Sequence, residues 1–253
     1  MAGRIGLSLW LEDFLRELES VQRLEDAWEL AAALLSSNGF DWSIYGFAPS
    51  GDKPDDRFQY LQFSRYPEEW IARYHEMGYA ENDYSLYHCA KQLTPCPIGV
   101  ELAPRSLNAS EQKVTLETGE FGMRSGIVVP MRGGENQNCG WGAVGMASSL
   151  SGKEMRSVLR EYGNGLRLAA MLTHERIQKH AVSQRRAEVN LTGRECEVLL
   201  WSALGLESEA IGEKLGLSLA TVNFHIAKAM KRLGATTRAH AVARAIVQGL
   251  IEP

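Results

Sequence analysis

From Leu191 onward the chain is punctuated at intervals that suit only short helices. Thr192-x-x-Glu195 has the form of a capping box. In such a box the hydroxyl accepts from one free helix-end amide and the carboxylate reaches back to another. The helix it opens is expected to run to about Ala203 and to stop at Gly205. Ser208 or Glu209 starts a second helix, which ends at Gly216. Ser218 caps a third, with Val222, Ile226, Met230 and Leu233 at four-, four- and three-residue intervals before Gly234 ends it. Val222, Ile226 and Met230 read as core. A fourth helix runs from about Thr237 to Gln248. Two short helices joined by a tight glycine turn, the second polar and basic outward, are the ingredients of a helix-turn-helix.

Charge supports that reading by its placement. The net charge is -4, which does not advertise a polyanion binder. Between Lys214 and Ile251, however, stand Lys214, Lys228, Lys231, Arg232, Arg238 and Arg244, with no Asp or Glu. A basic stretch inside an acidic protein suits a small nucleic-acid-binding module. Charge alone fits a solvated helix face equally well.

The rest of the chain reads as mixed α and β. Residues 8–18 and 24–36 carry Leu9, Trp10, Phe14 and Leu18, then Trp28, Ala31, Leu34 and Leu35, at helical spacing. Strand-like runs follow at 42–48 and 57–63, separated by the turn-rich Pro49-Ser50-Gly51-Asp52. Two more lie at 126–132 and 140–147, with Gly133-Gly134-Glu135-Asn136 as a hairpin signal between them. Residues 153–178 return to helix, with Met155, Val158, Leu159, Tyr162, Leu166, Ala169, Leu172 and Ile177 on one side. Gly163-Asn164-Gly165 weakens its middle. Such a stripe packs on its own domain's core, and a long terminal helix also suits a dimer seam. His180–Asn190 is polar and unpatterned, which marks a linker. The expected fold class is α+β: an N-terminal α-β-α sandwich over 1–178, a linker over 179–190, and an all-α four-helix helix-turn-helix domain over 191–253.

No apolar run approaches the roughly 18–20 residues that span a bilayer. The N-terminus lacks a basic n-region and a long apolar stretch, so a cytoplasmic protein is expected. Cys89, Cys96, Cys139 and Cys196 form no Cys-x-x-Cys pair, so free thiols are expected and metal-site spacing is absent. His75, His88 and Cys89 lie close in sequence, but no nucleophile elbow or phosphate loop accompanies them, and no enzyme is expected.

The stretch 191–251 resembles the DNA-binding domain of LuxR/FixJ-type regulators, through LTGRECEVL, EAIGEKLGLS, TVNFHIAKAMKRL and the final GLI. The N-terminal part resembles the autoinducer-binding domain of quorum-sensing LuxR-type receptors. Its markers are Tyr66-Pro67-x-x-Trp70, Tyr74, Gly78-Tyr79, Asp83, and Gly126 in a GxxxP motif ending at Pro130. The early acidic pair and phospho-accepting Asp of a receiver domain are not found.

The resemblance implies a small-molecule signal in place of a cofactor: an N-acyl homoserine lactone, with a lactone head, an amide and an acyl tail. Trp70 would give its indole N–H to the lactone carbonyl, and Asp83 would accept from the amide. Tyr66 and Ser85 would donate to the amide or acyl carbonyl. Tyr74, Ile44, Val128 and Trp141 would wall the tail, and Gly145 would leave it room. Each of these has a plainer reading as packing, or, for Asp83, as a helix cap at Ser85. In the second domain the third helix would enter the major groove, with Thr221, Asn223, His225 and Lys228 outward. Asn223 suits an adenine edge and Lys228 guanine or phosphate. Thr221, Lys214, Lys231 and Arg238 suit the DNA backbone. The implied partners are double-stranded promoter DNA, the autoinducer and a second copy of the chain. RNA polymerase is left open as a further partner, and a membrane is not implied.

Three positions depart from the family pattern. Tyr84 stands where Pro usually follows the Asp, Pro95-Cys96-Pro97-Ile98 stands where a Trp packs near the lactone, and Gly145 replaces a Ser/Thr-like residue. They leave open a bulkier acyl chain, a non-lactone signal, or a ligand-independent regulator whose first domain serves dimerisation or partner binding.

Overall fold

The computed structural model describes residues 5–48, 61–133 and 141–253. The Pro49–Asp52 turn, the first residues of the 57–63 run, most of the Gly133–Asn136 loop and Cys139 lie outside them. The chain divides into two compact units, one ending at Ile177 and one beginning at Gln178.

The first unit begins with helices α1 (Ile5–Ser20) and α2 (Leu24–Ser37). Strands β1 (Trp42–Ala48) and β2 (Leu61–Ser64) follow, then α3 (Glu68–Glu76), α4 (Tyr84–Lys91), β3 (Cys96–Ile98) and α5 (Ala109–Glu120). Strands β4 (Ser125–Arg132) and β5 (Trp141–Ser148) lead into α6 (Gly152–Val189). The sheet has the order β2-β1-β5-β4-β3 with antiparallel neighbours. Side chains alternate across it. Tyr45, Phe47, Val129, Met131, Val144 and Met146 face a core shared with α1, α2 and α6. Trp42, Val128, Ala143 and Ala147 face two smaller clusters that include residues of α3, α4 and α5. This is the α-β-α sandwich, and its second face carries the candidate site.

Helix α6 differs from the sequence reading in two ways. The Gly163-Asn164-Gly165 segment does not interrupt it. A Cβ on Gly165 would stand 2.7 Å from the Trp10 ring, so this glycine admits α1 at close range. Nor does the helix stop near 178: the stretch expected as an unpatterned linker stays helical to Val189. Residues 166–192 contain no Gly or Pro, and Ala, Gln, Arg and Glu favour helix. Asn190, at φ 50°, ends it in the left-handed turn that Asn tolerates.

A buried chain of hydrogen bonds ties α6 to the sheet. The carbonyl of Arg132 accepts from His174 Nε2 at 2.7 Å. That fixes the tautomer, so Nδ1 accepts from the Tyr45 hydroxyl at 2.9 Å. Burial holds the His174 pKa below its usual 6.5, against the opposing Arg132 carbonyl and Glu175. The unfolded chain therefore binds more protons as the ring titrates, and this contribution is lost as pH falls below about 6.5. Thermal unfolding of the first unit is expected to shift down on acidification through that range. A His174→Gln protein should show a flatter dependence; an equal slope would refute the assignment.

The second unit holds α7 (Gly193–Ala203), α8 (Ser208–Leu215), α9 (Leu219–Leu233) and α10 (Arg238–Val247). The Thr192 box is formed: its hydroxyl accepts from Glu195 N, and the Glu195 carboxylate accepts from Thr192 N at 2.8 Å. That carboxylate is 1% exposed and also meets Arg232 at 2.8 Å. Ser218 and Thr237 cap α9 and α10. Val198, Ile211, Val222 and Ile226 make one core, and Leu199, Ala229, Leu233, Ala241 and Ala245 a second. Met230 packs against both. Among the described residues no helix is long and apolar enough to cross a membrane.

Candidate ligand site and nucleic-acid interface

The candidate ligand-site residues gather on the second face of the sheet. Pro67 sets the entry to α3, whose first turn is acidic and last turn basic, matching the helix dipole. Helix α3 buries Trp70 and sets Tyr74 one turn on, with ring centroids 5.7 Å apart. Gly78 then turns the chain through a left-handed residue into a single 3₁₀ turn, Tyr79–Glu81. Asp83 caps α4. Its Oδ1 accepts from Ser85 N at 2.8 Å and Ser85 Oγ at 2.7 Å, and its Oδ2 from the Tyr74 hydroxyl at 2.9 Å. The cap reading of Asp83 is thus a fact of the structure. An ionised carboxylate accepts about four hydrogen bonds. Three are used, and the remaining lone pair sits on Oδ2, beside Tyr74.

Tyr66 joins this group. Burial and, secondarily, the negative charge of Asp83 push its phenol pKa well up, so it is a neutral O–H donor. Its hydroxyl oxygen lies 3.1 Å from where a Gly145 Cβ would stand, and Ile44 Cγ2 lies 2.8 Å from the same point. The room that Gly145 was expected to leave for an acyl tail is therefore occupied by Tyr66 and Ile44. A serine or threonine there would displace one of them.

Trp70, Tyr74 and Tyr66 belong to one cluster with Tyr79, Phe121, Met123 and Ala147. Val128 and Trp141 belong to a second, with Tyr84, Cys89, Cys96 and Ala143. Ile98 packs against both. The two departures Tyr84 and Pro97 meet: the Tyr84 hydroxyl donates to the Pro97 carbonyl at 2.7 Å. Burial first, and then Asp83, push the thiol of Cys96 up to about 12, and burial followed by Cys96 does the same for Cys89. Both are thiols at neutral pH, inert as nucleophiles. Tyr79, a marker of the resemblance, and Phe121 and Met123, which the sequence reading did not single out, complete the wall around Trp70.

In the second unit α8, the Gly216 turn and α9 make the helix-turn-helix. Gly216 holds the left-handed conformation that the tight turn demands. Asn223, Lys228, Lys214 and Lys231 are exposed, and Thr221 is half-buried at the start of α9. Asn223 Oδ1 accepts from Ser208 at 2.9 Å, which leaves its amide N–H groups to face outward. Lys214 lies over the Trp201 ring at 4.4 Å. Two residues are placed differently from expectation. The ring of His225 is half-buried, with Nδ1 sequestered from solvent. Arg238 turns inward: its guanidinium donates to Ser202 Oγ, Ser208 Oγ and the Leu206 carbonyl, pinning the α7–α8 turn. A guanidinium spent on three internal acceptors positions α8 and is not presented for a phosphate.

A sandwich with a buried polar-aromatic cluster, carried on one chain with a helix-turn-helix, defines a ligand-sensing transcriptional regulator. Residues 23–177 match the model of the autoinducer binding domain, and residues 189–245 that of bacterial regulatory proteins of the luxR family. The chain belongs to the LuxR family of quorum-sensing transcriptional regulators, and its first domain takes a small-molecule signal. Transcriptional activator protein BjaR1 of Bradyrhizobium diazoefficiens is 29% identical over 247 residues, covering 95% of this chain and 96% of its own. The HTH-type quorum sensing-dependent transcriptional regulator RpaR of Rhodopseudomonas palustris is 27% identical, covering 96% of each. Escherichia coli SdiA shares the fold, with a TM-score of 0.67 at 19% identity over 96% of this chain and 98% of its own.

Proposed function

We propose that the first domain binds an N-acyl homoserine lactone and that the chain acts on promoter DNA as a homodimer. The observation that supports this reading is the acceptor position left on Asp83 Oδ2, in a group with the donors of Tyr66 and Trp70; the Ser85 hydroxyl, expected as a third donor, is committed to Asp83 Oδ1. One acceptor for an amide N–H and two donors for two carbonyls is the complement of a lactone–amide head. Ile44, Val128, Trp141 and Tyr84 supply apolar wall for the tail. Residues 1–178 form the sensor and 179–190 a helical connection to the DNA-binding domain, 191–253. Leu168 and Met171, 43% and 52% exposed on α6, supply an apolar stripe for the second copy. A two-fold dimer places two α9 helices on a symmetric site, with Asn223 at base edges and Lys228, Lys231, Lys214 and Thr221 nearer the phosphates.

A second reading, a regulator that folds and binds DNA without ligand, draws on the Tyr66 hydroxyl over Gly145 and the Tyr84–Pro97 bond, which already fill part of that face. Thermal unfolding of the full chain with a panel of acyl homoserine lactones separates the two. Saturation about a hundredfold above Kd adds roughly 2.7 kcal/mol, a rise of several degrees. That rise with one chain-length class is the expected result. A flat response across the panel, in a protein that is folded and binds DNA alone, would overturn lactone sensing and point to the second reading or to another signal.

A further inference from the structure

The face of α9 opposite its core is apolar at its centre. At about 100° per residue, Val222 and Ile226 point one way and Ala220, Phe224, Ala227 and Lys231 the other. The first pair is buried, and all four of the second group are exposed. Phe224 is 54% exposed, a large value for an aromatic residue on a helix that buries Val222, Ile226, Ala229 and Leu233. A lone exposed apolar side chain is ordinary on a protein surface. Three features set this one apart. It occupies the centre of the outward face of the second helix of the helix-turn-helix. Its neighbours on that face, Ala220 and Ala227, are small, so a partner can approach the helix closely. Lys228 Nζ sits 4.6 Å from its ring centroid, and α9 carries Lys228, Lys231 and Arg232 but no acidic residue. The ring is thus presented inside a positive field that draws a polyanion onto it.

In the major groove, the apolar feature of a base edge is the 5-methyl group of thymine, which cytosine lacks. We infer that Phe224 reads a thymine methyl in each half-site and supplies discrimination of T from C that polar side chains on α9 do not. The inference rests on α9 lying in the major groove. Ala220 and Ala227 set the depth of approach, and Lys228, held over the ring, reaches past it to the neighbouring base or phosphate.

The test uses duplexes selected by the full-length chain from a random-sequence library, with the lactone panel present. Each selected thymine is replaced in turn by deoxyuridine, which removes only the methyl. For the wild-type chain, affinity should fall about fourfold at one position per half-site, and about fifteenfold when both half-sites are changed, the loss of one buried methyl each. The Phe224→Ala chain should be indifferent to deoxyuridine at that position while keeping its sensitivity elsewhere. Because Phe224 is exposed, its melting temperature should match wild type. Equal deoxyuridine penalties in both proteins, or none in either, would overturn the inference. A Lys228→Ala/Lys231→Ala chain with unchanged affinity and salt dependence would overturn the placement of α9 itself, and the inference with it.

Discussion

An Asp83→Asn chain is expected to fold almost as well as wild type and to lose lactone affinity by a factor of about ten to a hundred. Asparagine is as good an N-cap as aspartate, so its carbonyl can keep the bond from Ser85 N that starts α4. What it cannot keep is the second carboxylate oxygen. An NH₂ group there would face the Tyr74 hydroxyl, which now donates to Oδ2. It would also face the ligand's amide N–H, donor against donor. A hydrogen bond to an ionised acceptor contributes roughly 1.5–3 kcal/mol, and the loss of that bond sets the range. Asp83→Ala should act differently: it removes the cap and the bond that Oδ2 accepts from the Tyr74 hydroxyl, lowering stability by roughly 2–3 kcal/mol with or without ligand. Melting temperature and lactone titration, measured on both variants, separate cap from acceptor. An Asp83→Asn chain with wild-type lactone affinity would reduce Asp83 to a structural cap.

Glu195→Ala is expected to unfold the DNA-binding domain preferentially. The carboxylate is 1% exposed and serves the Thr192 amide and the Arg232 guanidinium together. Breaking a buried pair by removing one partner costs roughly 3–5 kcal/mol. The Arg232 side chain is 32% exposed and can turn to water, which discounts that figure. Adding the lost capping box brings the expected loss back to about 3 kcal/mol. Glu195→Gln keeps the shape and one acceptor and should cost about 1 kcal/mol. With two units in the chain, denaturant unfolding should resolve into two steps, only one of which moves. Lactone response should persist in both variants while DNA binding falls in Glu195→Ala. A loss of stability in the first unit would contradict this division.

The helix-turn-helix was legible because its boundaries are written in local chemistry: Thr192, Ser218 and Thr237 as caps, Gly205, Gly216 and Gly234 as stops. The central strands were legible from their β-branched and aromatic runs. Helices α3 and α4 and strand β3 are short, and α5 carries weak periodicity, so the residues alone did not announce them. Helix α5 did offer a readable signal, the Asn108-x-x-Glu111 capping box, which forms in the structure. The candidate site residues Trp70, Tyr74, Tyr79 and Asp83 stood out only through family resemblance, whereas Phe121 and Met123 reach the site through tertiary packing that no local pattern encodes. Arg238 looked like a free cation because its acceptors lie thirty or more residues away. Phe224 was readable from helical period alone: a residue two positions after a core valine points away from the core.

Strand β3 is one margin of the sheet, and margins of sheets invite other chains to add a strand. Pro97, at its midpoint, has no N–H to offer, and its carbonyl is already taken by the Tyr84 hydroxyl. An incoming strand would find neither donor nor acceptor at the centre of a three-residue margin. Tyr84 and Pro97, two of the departures from the family pattern, therefore also act as a guard against aggregation. Variants that trim Tyr84 strip the Pro97 carbonyl of its hydroxyl donor, and solubility at high concentration would register the change before affinity does.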